Sequence, residues 1–384
     1  MIPYSINSSE ITLPAPLLKI STSNKVPRQV DVVVIGGGIV GTTAAYFLAR
    51  RSVSVALLEK GVVGGEQSSR NWGWCRQQNR DARELPMATK ALDLWDQFAE
   101  EIGEDVGFRR CGLLYLSNNE AELEGWANWC RFAGTQDVVS LALGGKEATE
   151  RGEATGRSWR GGVFSQSDGV ADPSRAVPVI AKGVVQASGH VVQNCAVRGV
   201  LTEAGRVSGV VTEYGEIRCS QVVMAGGAWA SSFCNQLGIS FPQASVRASI
   251  LSVEPGARGL PDTLHTEAVS ITRRGDGGYA LAISGRANVD PTLQMLRFAS
   301  DFLPMFAKRW RILSPGGLQG LHAGHESRTK WALDAPTPME AMRVLDPKPN
   351  AKILRKTLAC ARALLPGLKS VDLQANWAGY IDST

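Results

Sequence analysis

The apolar positions of this chain fall into runs of different period, and each period predicts a kind of element. Gln29-Val30-Asp31-Val32-Val33-Val34-Ile35 is a β-branched run, as expected of a strand covered on both faces. Gly36-Gly37-Gly38 follows, and the spacing over 39–50 predicts a helix with the small residues Gly41, Ala44 and Ala45 on its inner side. Residues 52–58 predict a second strand that ends at Glu59. Strand, turn, helix and strand within about 30 residues make the minimal unit of a parallel sheet. Helical periodicity returns over 88–102, 120–132, 176–187 and 354–365, the last closed by Pro366-Gly367. Strands are predicted over 111–116, 163–164, 191–200, 207–214 and 221–225, and within 371–381. Residues 268–284 read as a hairpin that turns at Gly275-Asp276-Gly277-Gly278. Residues 1–28 are Ser- and Pro-rich without periodicity and are expected to lie over the surface or to be mobile. Parallel and antiparallel signals are mixed, so the fold class is α/β with α+β insertions.

Composition narrows the function classes. The 384 residues suffice for two or three domains, and 44% hydrophobic with 20% charged residues is ordinary globular usage. A formal charge of +5 without a dense Lys/Arg stripe gives no nucleic-acid footprint. The 7 cysteines are scattered, with no metal-type quartet, which suits free thiols in a reducing compartment. No basic region followed by an apolar stretch opens the chain, and no run is long enough to span a bilayer. A cytoplasmic location is the expectation.

The chemistry concentrates in Gly36-x-Gly38-x-x-Gly41 between the first strand and its helix, with Glu59 ending the next strand. Gly36 permits the tight turn, Gly38 permits close approach of a pyrophosphate, and Gly41 permits close packing of helix on strand. The helix N-terminus, opened by Ile39 and Val40, offers donors to phosphate, and Glu59 can accept from ribose hydroxyls. A dinucleotide site follows. A second strand-turn, Val222-Val223-Met224-Ala225-Gly226-Gly227-Ala228-Trp229, also places small residues after a strand, with Ala225, Gly226 and Trp229 as candidate contacts. The third segment is Gly64-Gly65-Glu66-Gln67-Ser68-Ser69-Arg70-Asn71-Trp72-Gly73-Trp74, small, polar and aromatic, close behind Glu59-Lys60. Val197, on the strand predicted over 191–200, completes the cofactor set. His322 and His325 lack the neighbours of a metal site, and no metal is expected.

On Gly36–Gly41, Glu59-Lys60, residues 68–73, 225–229 and Trp377-Ala378-Gly379-Tyr380-Ile381-Asp382, the chain resembles the FAD-dependent D-amino-acid oxidase, glycine oxidase and sarcosine oxidase superfamily from about residue 30 onward. Trp72-Gly73-Trp74-Cys75-Arg76-Gln77-Gln78 is similar to bacterial amino-acid oxidases and dehydrogenases, arginine-specific ones included. The resemblance implies a Rossmann-like FAD-binding domain from 29–87, 160–238 and 335–384. It also implies a substrate domain from 88–159 and 239–334, with an antiparallel sheet, 1–28 being an extension. It implies oxidation of an amino acid at the C–N bond, with hydride passing from the α-carbon to flavin N5 and the imino acid hydrolysing to the oxo acid. Sarcosine-type oxidation of a secondary amine by the same flavin is an alternative, and an NAD(P)-dependent dehydrogenase is the competitor on another cofactor.

Candidate pocket residues are Arg76, Arg273 and Arg286 as carboxylate anchors, with Tyr279 and His322. The FAD is expected to be noncovalent, because no His or Cys stands within 68–73. The sarcosine-oxidase branch carries a lysine near the flavin that is associated with oxygen reactivity; Tyr279-Ala280-Leu281-Ala282-Ile283 has none, so O2 or another carrier stays open as acceptor. Oligomeric state is left open. Superfamily members usually continue past the last strand into a Gly-rich segment that closes over the flavin, so a further segment beyond Thr384 is expected, residues 1–28 being the other candidate cover.

Overall fold

The computed structural model describes residues 2–3, 13–23, 25–310, 313–317 and 330–384. Val32–Ile35 and Val55–Leu58 are buried at every position and pair in parallel, Val32 with Val55 and Ile35 with Leu58. His190–Val192 joins on one side and Gln221–Met224 on the other, giving a four-stranded parallel sheet. The helix Ile39–Arg50 spans the predicted residues. It packs against Ala176–Gln186, and their buried side chains, among them Ala45, Tyr46, Val177 and Ile180, form one core with the sheet. This is the Rossmann-like half of the expected architecture.

The other half is a ten-stranded, mainly antiparallel sheet. Its long central strand, Ala244–Val253, pairs antiparallel with Leu373–Ser383 from Ala244↔Ser383 to Val253↔Leu373. The predicted hairpin forms as Ser270–Arg273 and Tyr279–Ala282. The helix Ala351–Leu364 packs on this sheet through Leu364 and Ala361.

The structure corrects several expectations. Residues 191–200 are not a single strand. His190–Val192 belongs to the parallel sheet and Val197–Glu203 to a separate antiparallel meander. Asn194 between them has a positive φ of 51°, and the peptide N–H groups of Asn194 and Cys195 donate to the carbonyls of Gly61 and Glu59. A left-handed turn thus interrupts an apolar run that periodicity alone reads as continuous. The helix predicted from 88 begins at Leu85, with Pro86 in the first turn, where its missing N–H is no loss. Ala244–Val253 and the helices Leu293–Arg297 and Ala299–Arg309 were not foreseen, because serines and charges blur their period. The described part of the N-terminal extension is fastened down. Leu18 N–H donates to Ser174 O and Ser23 N–H to Val191 O, while Ala15 is buried beside Ile250, Ala280 and Trp377.

Candidate active site

Backbone crowding explains two of the fingerprint glycines. Gly36 has φ +109°, and a Cβ there would stand 2.4 Å from the Ala225 carbonyl oxygen. A Cβ on Gly41 would stand 2.0 Å from the Gly36 carbonyl oxygen. Gly38 differs: it precedes the helix in extended conformation, and an added Cβ would meet only Ser68 Oγ, at 3.3 Å. The strand-turn-helix therefore needs Gly36 and Gly41 to close, whereas Gly38 keeps a cleft open.

That cleft spans about 990 Å³, open solvent at its mouth included. Gly36, Gly38, Glu59 and Lys60 line it, as do Ser68 and Arg70 from the third segment. Val197, Ala225, Gly226 and Trp229 close its other wall. Glu59 is held from both oxygens, Oε2 accepting from Gly37 N–H at 2.7 Å and Oε1 from Gly61 N–H at 2.8 Å. Burial nonetheless pushes its carboxyl above the usual range. Lys60 Nζ donates to Glu66 at 2.5 Å and to the carbonyls of Met342 and Arg343 at 2.9 Å, and lies 4.6 Å from the Trp229 ring centre. Lys60 and Glu66 thus brace the cleft. Ile39 N–H, first of the helix donors, is taken by Ser68 Oγ at 2.9 Å, while Val40 is turned outward and 70% exposed. Ser69 is buried and donates to Glu66 O.

Asn71, Trp72 and Gly73 face a second cavity of about 2090 Å³, widely open to solvent, under the large sheet. Gln67 and Arg70 border both spaces, so the cleft and the cavity meet there. Arg70 is 2% exposed, and its guanidinium donates to Asp346 at 2.9 Å and Ala378 O at 3.0 Å. Burial lowers its pKa, opposed by Asp346. Its Nε and the Gln67 Oε1 are buried with no protein partner. Unpaired buried polar atoms at such a junction point to a ligand that satisfies them.

The second cavity sorts the pocket candidates. Arg76 and Arg286 line it, Arg76 partly buried and Arg286 exposed near the rim. Arg273 does not; its guanidinium stands 3.5 Å from Asp262 and is half exposed. Tyr279 does not either, being buried within the sheet with its hydroxyl donating to Leu260 O at 3.2 Å. Period-two alternation of the hairpin turns Ala282 toward the cavity and those two away. His322 lies outside the described residues.

What the sequence did not single out is the aromatic wall. His265 meets the Tyr115 ring edge-on with centres 4.7 Å apart, Trp126 stacks on Tyr115 at 5.8 Å, and Trp74 lies edge-on to Tyr115 at 5.8 Å. His265 Nδ1 shares a hydrogen with Ser270 Oγ at 2.9 Å; burial, then the nearby Arg76 charge, pull its pKa down to about 4. Burial pushes the Tyr115 phenol up to about 12 against the same guanidinium. Both side chains are therefore neutral at physiological pH. Their only sequence signal was alternation in short strands, which does not tell a core position from a cavity wall.

The family model of FAD dependent oxidoreductases matches residues 31–384, and the chain belongs to that family. Its dinucleotide is accordingly FAD. Glycine oxidase of Pseudomonas aeruginosa is 28% identical over 320 residues, covering 76% of this chain and 84% of that protein. 4-Methylaminobutanoate oxidase (formaldehyde-forming) of Paenarthrobacter nicotinovorans is 27% identical over 230 residues, 59% of this chain. The solved L-amino acid deaminase of Proteus myxofaciens, in complex with anthranilate, superposes with a TM-score of 0.89 at 27% identity, over 96% of this chain and 84% of that one. The chain spans only 28% of the length of that 4-methylaminobutanoate oxidase, and 30% to 57% of the sarcosine dehydrogenases and sarcosine oxidase β subunits it matches.

Proposed function

We propose that this protein oxidises a free amino acid bearing a large uncharged side chain to the imino acid, which hydrolyses to the oxo acid. One observation carries the reading: a dinucleotide cleft and an aromatic cavity share Gln67 and Arg70, and the described lining of that cavity holds arginines but no aspartate or glutamate. FAD bound in the cleft supplies the two-electron acceptor for the substrate's α-C–H bond. The glycine turn, Glu59, Ser68 and Trp229 hold it, and Gln67 and Arg70 stand where the two spaces meet. Arg76 and Arg286 fix the substrate carboxylate, Arg76 from within and Arg286 from the rim. Trp74, Tyr115, Trp126 and neutral His265 exclude water from the side chain.

A wall with arginines and no acid disfavours a cationic side chain, which speaks against arginine as substrate. The sarcosine-related relatives support secondary-amine oxidation as a second reading, whereas the wall of Trp74, Tyr115, Trp126 and His265 suits a side chain larger than a methyl group. The FAD unit is taken as 29–87, 160–238 and 335–384 and the substrate unit as 88–159 and 239–334, with Gly161–Ser165 and Leu373–Ser383 crossing from the first into the large sheet of the second. Among the described residues no helix is long and apolar enough to cross a membrane. All seven cysteines are free thiols, which supports a reducing, cytoplasmic setting. The electron acceptor is O2 or another carrier. An anaerobic screen of both enantiomers of the common amino acids, with sarcosine, tests the reading. Phenylalanine, tryptophan or leucine should bleach the oxidised-flavin absorbance much faster than arginine, glycine or sarcosine do; preferential bleaching by arginine or sarcosine overturns it.

A further inference from the structure

We propose that Asp168 is a positioning residue, which fixes the turn after Arg76 so that the guanidinium is presented to the cavity as the carboxylate anchor. The proposal rests on the reading of Arg76 given above. Asp168 sits in the turn between the strands Gly161–Ser165 and Gly169–Ala171 and is fully buried. Its two oxygens accept the two peptide N–H groups that follow Arg76, Gln77 at 2.7 Å through Oδ1 and Gln78 at 3.2 Å through Oδ2. The Arg76 guanidinium closes the turn by donating to the Gln78 carbonyl oxygen.

The side chains of the turn are anchored as well. Gln77 bonds Thr89 and Ser167 at 2.7 Å, and Gln78 Oε1 accepts from Ser165 at 2.7 Å and Ser140 at 3.0 Å. A carboxylate is an unusual choice for a fully buried turn, because burial opposes its charge. Here burial pushes it up to about 6, countered by the two N–H groups and by the Arg76 and Arg110 guanidinia. An apolar residue would leave two buried N–H groups unpaired, and an amide would set its NH2 against one of them. The carboxylate is the side chain that accepts both N–H groups and also balances Arg76 while no substrate carboxylate is bound.

The test is made on FAD-loaded enzyme, with benzoate as an unreactive carboxylate probe read by the shift of the flavin spectrum, alongside steady-state kinetics. Asp168→Asn should raise the benzoate Kd and the amino-acid KM about tenfold, with kcat within about threefold and unchanged FAD content. Combined with Arg76→Ala, it should add no further loss, because both changes remove one presented guanidinium. Asp168→Glu keeps the buried charge but displaces its oxygens and is the second variant, expected to change KM in the same sense. In whichever variant purifies yellow, a KM within about twofold of the parent's while Arg76→Ala raises it overturns the positioning role, as does a loss that adds to that of Arg76→Ala. An Arg76→Ala enzyme with unchanged KM instead removes the anchor reading itself, and the Asp168 proposal with it.

Discussion

Single residues differ in whether the fold or the ligand needs them, and the two glycines inside the helix entrance separate the cases. Gly41→Val places a side chain on the Gly36 carbonyl, so it should fail to accumulate as folded protein. Gly38→Val meets only Ser68 Oγ, so it should fold yet purify colourless, its side chain standing in the cleft. Circular dichroism and FAD content decide both; a fully yellow Gly38→Val protein would count against the assigned cleft. His265 carries the pH prediction. Its folded pKa of about 4 lies below the ordinary value for histidine, so its contribution to stability is present above about pH 6.5 and is lost as pH falls toward 4. Asp168, raised to about 6, has the opposite sign: its contribution is present at low pH and lost as pH rises through about 6. The two offset each other in the window they share. His265→Asn should therefore gain Tm relative to the parent as pH drops from about 6.5 to about 4.5, and a pH-independent difference would show that His265 is not held neutral.

At the scale of elements, the hairpin of Ser270–Arg273 and Tyr279–Ala282 shows how strand alternation sorts equal-looking charges. Arg273 ends its strand on the outer side beside Asp262, whereas Arg286, beyond the second strand, reaches the cavity rim. Loss of a charge-assisted carboxylate contact costs about 1.5–3 kcal/mol, which corresponds to a KM raised at least about tenfold. Arg76→Ala and Arg286→Ala should show that rise, while Arg273→Ala should leave kcat/KM within about twofold, because exposed pairs contribute little. An effect of Arg273→Ala equal to that of Arg286→Ala would mean that the hairpin faces the substrate differently.

For the whole molecule, the cleft is built from segments that end far apart in the chain: the first strand-turn, residues 59–70, 195–197, 224–229 and the last strand at Gly379 and Tyr380. A ligand that bridges them stabilises the folded state by mass action, by about 2.7 kcal/mol at a hundredfold excess over Kd. Excess FAD should accordingly raise the Tm of the apoprotein. Acid precipitation should release the flavin to the supernatant, since no cysteine or histidine stands within 68–73 to attach it. Flavin retained on the pellet would show a covalent link from elsewhere in the chain.

What the sequence determined by itself was contiguous. Gly36, Gly38, Gly41 and Glu59 lie within one β-turn-α-β unit whose geometry follows from local sterics, so their spacing was enough to indicate the cleft and the family likeness. The Ser68–Gly73 segment was legible for the same reason, although its division was not: Ser68 faces the cleft, Arg70 borders both spaces, and Asn71, Trp72 and Gly73 face the other cavity. Tertiary structure alone decided the substrate side. Tyr115, Trp126 and His265 come from a strand, a helix and another strand that local spacing does not relate, and they meet only because Leu113–Ser117 pairs beside Thr263–His265. Tyr279 looked equally suited to the pocket and is buried in the sheet. Periodicity records which face of an element is apolar. Whether that face meets another element or lines a cavity depends on what the rest of the chain places opposite it.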